Sequence, residues 1–173
     1  MYNTVNISIN TAVFLFLSGA FAIMAIVMLF TPRRPAVLAG YGMLLSAWLS
    51  GITAVDIKTL IFWAIASILT LGLNMILPRN IAKSRSGVPF ICGGTITAAC
   101  VGMLFNTTAG VILGAMAGAI LGAIAFSNTE KGRPMEFPSQ KFFNYTAAKG
   151  LPAVVTTSMV AISMLYIISY FHV

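Results

Sequence analysis

Six apolar stretches, at about 11–30, 36–55, 59–77, 88–105, 109–126 and 151–171, dominate this chain, and short polar links separate them. Each is close to the roughly 20 residues that a helix needs to cross about 30 Å of hydrocarbon. Inside a bilayer no water is available to satisfy backbone N–H and C=O groups, so a spanning segment must bond its own main chain as a helix or join a closed barrel. The stretches are continuously apolar rather than alternating, which selects helices. Only 8% of the 173 residues are charged and 59% are hydrophobic, against about 25% charged in an average soluble domain. The sequence therefore predicts an all-α, polytopic integral membrane protein. It forms one transmembrane domain over 1–173, with a polar connector at 127–150.

Charge gives the orientation. The ten Lys and Arg fall in links: Arg33 and Arg34 in the first, Lys58 in the second, and Arg79, Lys83 and Arg85 in the third. The fourth has none, and Lys131, Arg133, Lys141 and Lys149 are in the fifth. Six crossings put the first, third and fifth links on one side with nine of the ten bases, and the positive-inside rule makes that side the cytoplasm. Both termini then face out. A re-entrant hairpin at 88–126 would keep the same parity, so charge counting leaves that alternative open. The first stretch follows an uncharged leader and runs straight into TPRRP, which reads as a retained span rather than a cleaved signal. The net charge of +7 is dispersed between apolar runs, so it suits anionic lipid headgroups on the cytoplasmic side rather than nucleic acid. Arg33, Arg34, Arg79, Lys83, Arg85, Lys141 and Lys149 are the candidates for headgroup or partner contact. In the last link, Lys141 to Lys149 reads as a short interfacial helix with aromatics toward lipid and lysines toward headgroups.

Within 110–122 glycine occupies every fourth position, at Gly110, Gly114, Gly118 and Gly122, although each costs a helix interior about 1 kcal/mol relative to alanine. A step of four residues turns a helix by about 400°, so the four form one gently drifting stripe, with Ala115, Ala119 and Ala123 beside it. The preceding stretch carries a matching row, Gly94, Ala98 and Gly102, across the short Asn106-Thr107-Thr108 link. Lipid supplies no hydrophobic force between helices, and small residues permit the close packing on which association depends. An antiparallel hairpin over 88–126, joined along these smooth faces, follows. The same stripes could instead serve self-association or a pore wall. Gly93-Gly94 behind Pro89 could also break a helix into substrate-binding halves, but the chain lacks a second, corresponding interruption.

Chemistry-bearing residues are sparse. His172 is the sole histidine, and the acids Asp56, Glu130 and Glu136 fall in different links, so no acid–base pair or metal-ligand set converges. Cys92 and Cys100 are eight residues apart, about 12 Å along a helix, beyond the roughly 7 Å that a disulfide spans between α-carbons. No ionisable residue falls inside the six stretches, although coupled carriers place one there. Their polar residues are Asn74 and the hydroxyls Ser18, Ser46, Ser67, Thr70, Thr95, Thr97, Thr156, Thr157, Ser158 and Ser163. Such hydroxyls ordinarily bond their own helix or a neighbour.

The ordered segments LFTPRRPAVLAGYGMLL, LNMILPRNIAKSRSG, GGTITAACVG, AGVILGAMAGAILGA and KFFNYTAAKGLPAVV resemble the bacterial glycine-zipper membrane proteins grouped as domain of unknown function 456. The likeness covers about residues 12–165. Ser84-Arg85-Ser86-Gly87 stands where that family has a glycine-rich turn, and Ala125-Phe126 where it often has Gly-Glu. The resemblance implies a bacterial inner-membrane location and a zipper fold, and it brings no catalytic residue and no cofactor. Two functions fit the residues. One is a non-catalytic structural or accessory subunit of an envelope complex. The other is a small oligomeric transporter or channel for an uncharged solute.

Overall fold

The computed structural model describes residues 8–31, 35–51, 55–76 and 86–171. Among them are six α-helices: α1 (Ile9–Leu29), α2 (Ala36–Leu49), α3 (Ile57–Ile76), α4 (Val88–Met103), α5 (Thr108–Ser127) and α6 (Gln140–Phe171). A single 3-10 turn at Arg133–Met135 precedes α6. The protein is an α-helical membrane protein, and α1, α3, α5 and α6 are each long and apolar enough to cross a bilayer.

Two expected spans are shorter than the sequence suggests. The stretch at 36–55 gives a helix of only 14 residues, about 21 Å at 1.5 Å per residue. It stops because Gly51 takes φ +70° just past the Ser50 cap, the left-handed conformation in which glycine ends helices. The stretch at 88–105 gives 16 residues, about 24 Å. It begins behind Gly87 at φ +75° and ends before Asn106 at φ 50°, where an asparagine tolerates the left-handed turn that a branched residue would resist. α4 runs unbroken through Pro89, Gly93 and Gly94, and its proline sits in the first turn, where the missing N–H costs nothing. No pair of half-helices forms there.

The last link also differs. Instead of a short interfacial helix followed by a separate span, α6 is one helix of 32 residues with Pro152 inside it. At about 48 Å it exceeds the hydrocarbon thickness, so its first turns extend beyond the region that spans.

The helices alternate in direction. At one end, the Thr11 hydroxyl near the start of α1 donates to the Ser50 carbonyl at the end of α2 (3.2 Å). Lys58 of α3, Thr108 of α5 and Tyr166 of α6 border a common groove at the same end. At the other end, Cys92 of α4 donates through its thiol to the Leu29 carbonyl of α1 (3.6 Å), and Tyr145 of α6 stacks on Phe126 of α5. Six passes therefore alternate, and α1 starts at the end where α6 finishes.

α6 is the hub, touching each of the other five helices. Over its apolar window 56% of the residues are buried, against 22% for α1 and α3, so α6 is interior and those two are peripheral. Nine consecutive residues, Val155 to Ser163, are buried, which requires neighbours on every side of the helix.

Candidate functional site

Among the described helices, α4 and α5 make the most extensive contact. A β-carbon placed on Gly94 would stand 2.5 Å from the Gly118 carbonyl oxygen, and one on Gly118 would strike the Gly94 carbonyl in return. One step of four along, Gly114 meets the Ala98 carbonyl, and one further Gly102 and Gly110 meet each other. At the opposite end of the row Gly122 lies against Phe90 and Ile91. Each step of four up α4 is matched by a step of four down α5, so the register is antiparallel and continuous. Backbone touches backbone here, and a single methyl group would part the helices. The tight approach gives dispersion contacts that bulkier side chains would forbid.

The alanines beside the stripe face elsewhere. Ala115 packs in a cluster with Val155, Met159 and Ile162 of α6, and Ala119 and Ala123 pack with Phe142, Tyr145 and Ala153 of the same helix. A β-carbon on Gly150 of α6 would come 3.5 Å from that of Ala119. α5 is thus held on two sides, its glycines against α4 and its alanines against α6. Leu113, Met116 and Leu121 remain exposed on its free side.

An aromatic plug closes the end of the hairpin. Phe126 stacks on Tyr145 (centroids 5.3 Å, planes 25° apart) and tilts against Phe90 at 5.9 Å. The Tyr145 hydroxyl donates to the Ser86 carbonyl at 2.7 Å. Gly87 can be nothing larger, because a β-carbon there would strike the Tyr145 hydroxyl and the Phe126 ring. This arrangement corrects the expectation for 141–149. Phe142 and Tyr145 are buried rather than lipid-facing, and only Phe143 points outward. Lys149, expected at the headgroups, is 9% exposed, because this part of α6 packs against the α4–α5 hairpin. Lys141 does lie on the exposed surface. Arg33, Arg34, Arg79, Lys83, Arg85 and His172 lie outside the described residues.

Most intramembrane hydroxyls donate within their own helix. Ser46 bonds the Met43 carbonyl, Ser67 that of Trp63, Thr70 that of Ala66, Thr95 that of Ile91 and Ser163 that of Met159, all between 2.6 and 2.9 Å. Four others, Ser18 of α1 and Thr156, Thr157 and Ser158 of α6, are buried with no hydrogen-bond partner. Composition and spacing give no hint of this difference. The three α6 hydroxyls are consecutive within the run Val155 to Ser163 that is buried on every side.

Among the described residues no group of three or more His, Cys, Asp or Glu comes together. Cys92 is buried and Cys100 exposed, and both are free thiols. No protein-family model, no curated protein and no solved structure matches the chain.

Proposed function

We propose that this protein is a non-catalytic integral membrane protein, a structural or accessory subunit of a bacterial inner-membrane complex, and a relative of the glycine-zipper proteins it resembles. The observation that carries the reading is the α4–α5 contact, in which backbone meets backbone along the whole glycine row, so that the chain's most distinctive sequence feature serves helix packing. The glycines are occupied within the chain, so a partner subunit meets other faces. The exposed apolar side of α3, with Ile61, Ile65, Ile68 and Leu69, is long enough to serve. Lys141 and the basic links outside the described residues are the expected contacts with anionic headgroups on the cytoplasmic side.

A second reading, a path for an uncharged solute, is favoured by one observation: the unpartnered hydroxyls of Ser18, Thr156, Thr157 and Ser158 inside the bundle. A buried hydroxyl without a partner carries a desolvation cost of about 1–3 kcal/mol, which a passing polar solute or water would relieve. Extraction in mild detergent followed by native mass analysis separates the two. Unrelated subunits recovered in fixed ratio support the accessory role. A pure homo-oligomer that speeds solute flux in liposomes overturns it in favour of transport.

A further inference from the structure

A groove of about 310 Å³ opens between the first turns of α3 and α5 and the last turns of α6, at the end of the bundle opposite the aromatic plug. Its polar residues gather at the rim: Lys58 and Thr59 open α3, and Thr108 opens α5. Deeper, Ile112 and Ile162 line it, with Trp63 and Tyr166 among its aromatic residues. Phe62 borders it as well and is exposed at the apolar surface, so the groove is continuous with the lipid-facing side of α3.

We propose that this groove binds a phospholipid, with the headgroup phosphodiester at Lys58 and the upper acyl chain against Ile112, Ile162 and Trp63. Three features select that occupant. Lys58 is a cation at the rim. Two helices of 20 residues each begin at the groove, and the positive dipole ends of both favour an anion, although the Gly110 N–H of α5 is already taken by the Thr107 hydroxyl. Below the rim an apolar lining meets lipid, which a free phosphate would leave unused. The volume is at the low end of small-molecule sites, roughly 300–1,000 Å³, and suits a headgroup with the first part of a chain while the remainder stays in the bilayer. Asp56, two residues before Lys58, is exposed and does not line the groove.

Trp63 reports on the site, because the only other tryptophan, Trp48, belongs to α2. In Trp48→Phe protein held in a maltoside detergent, quenching of Trp63 is titrated with phosphatidylglycerol and with diacylglycerol, both brominated near the top of the chain. The expected result is half-saturation at a several-fold lower mole fraction of phosphatidylglycerol. Lys58→Met, a change at an exposed position, weakens that lipid by roughly fivefold, the effect of one lysine near an anionic surface, and leaves diacylglycerol unchanged. Equal titration by the two lipids, or a preference that Lys58→Met does not reduce, overturns the proposal. So does displacement of the brominated phospholipid by inorganic phosphate alone, which assigns the rim to a free anion.

Discussion

Gly93 and Gly94 are adjacent in the same helix, yet a β-carbon on Gly94 would meet the Gly118 backbone, while one on Gly93 would meet nothing within 4 Å. Substituting alanine at the two positions therefore has opposite signs. Gly93→Ala gains the helix propensity that glycine forgoes, about 1 kcal/mol, with no steric cost. Gly94→Ala and Gly118→Ala must push the hairpin apart, and overpacking of this kind costs about 1–3 kcal/mol. Unfolding by sodium dodecyl sulfate from mild-detergent micelles measures both, and equal stabilities for the Gly93 and Gly118 variants would contradict the close contact. A spacing of four residues is enough to find the stripe in the sequence. The same spacing separates Gly94, in register with Ala98 and Gly102, from Gly93, whose row continues through Thr97 and Val101. Lys149 is not legible in this way: its place in a polar link suggests headgroups, and its burial comes from the packing of α6 on the α4–α5 hairpin.

At the scale of a helix, its ends decide how much of an apolar run becomes ordered. The Thr107 hydroxyl accepts from the Gly110 N–H at 3.0 Å and caps α5, so Thr107→Ala is expected to lower stability by about 1 kcal/mol. A matched Thr108→Ala change, one residue inside the helix, leaves the cap intact and separates capping from simple loss of a hydroxyl in the same unfolding assay. Gly87 precedes α4 with φ +75°, and Gly87→Ala adds a left-handed strain of about 1–2 kcal/mol to the displacement of Tyr145 and Phe126. Tyr145→Phe removes only the bond to Ser86, about 0.5–1.5 kcal/mol, so the alanine variant should melt at the lower temperature. The apolar runs locate all six helices in the sequence. Their ends are harder to read, since Ser50-Gly51 and Leu104-Phe105 fall inside the apolar runs 36–55 and 88–105, and only the positive φ at Gly51 and Asn106 shows that the helices stop short.

Across the whole molecule, the alternation of basic links and the alternation of helix directions are independent observations that agree. The first comes from counting Lys and Arg, and the second from contacts such as Thr11 to Ser50 at one end and Cys92 to Leu29 at the other. The structure fixes which ends lie together, and the charge distribution supplies the side of the membrane each should face. The α2 and α4 helices, of 14 and 16 residues, each fall short of the hydrocarbon thickness by themselves. They can still complete a crossing, since a short apolar helix packed among longer ones is shielded from lipid, and mismatch costs only a fraction of a kcal/mol per Å. If all six passes cross, Lys58 and Lys131 lie on opposite sides, because α5 begins beside Lys58 and ends just before Lys131. Single cysteines at these two exposed positions, in protein whose Cys92 and Cys100 are replaced by serine, test this in intact cells with a membrane-impermeant maleimide. Lys58→Cys should label from outside and Lys131→Cys only after the membrane is opened. Labelling of both from outside would mean that α5 does not cross, and the glycine contact would then be a hairpin dipping into one leaflet.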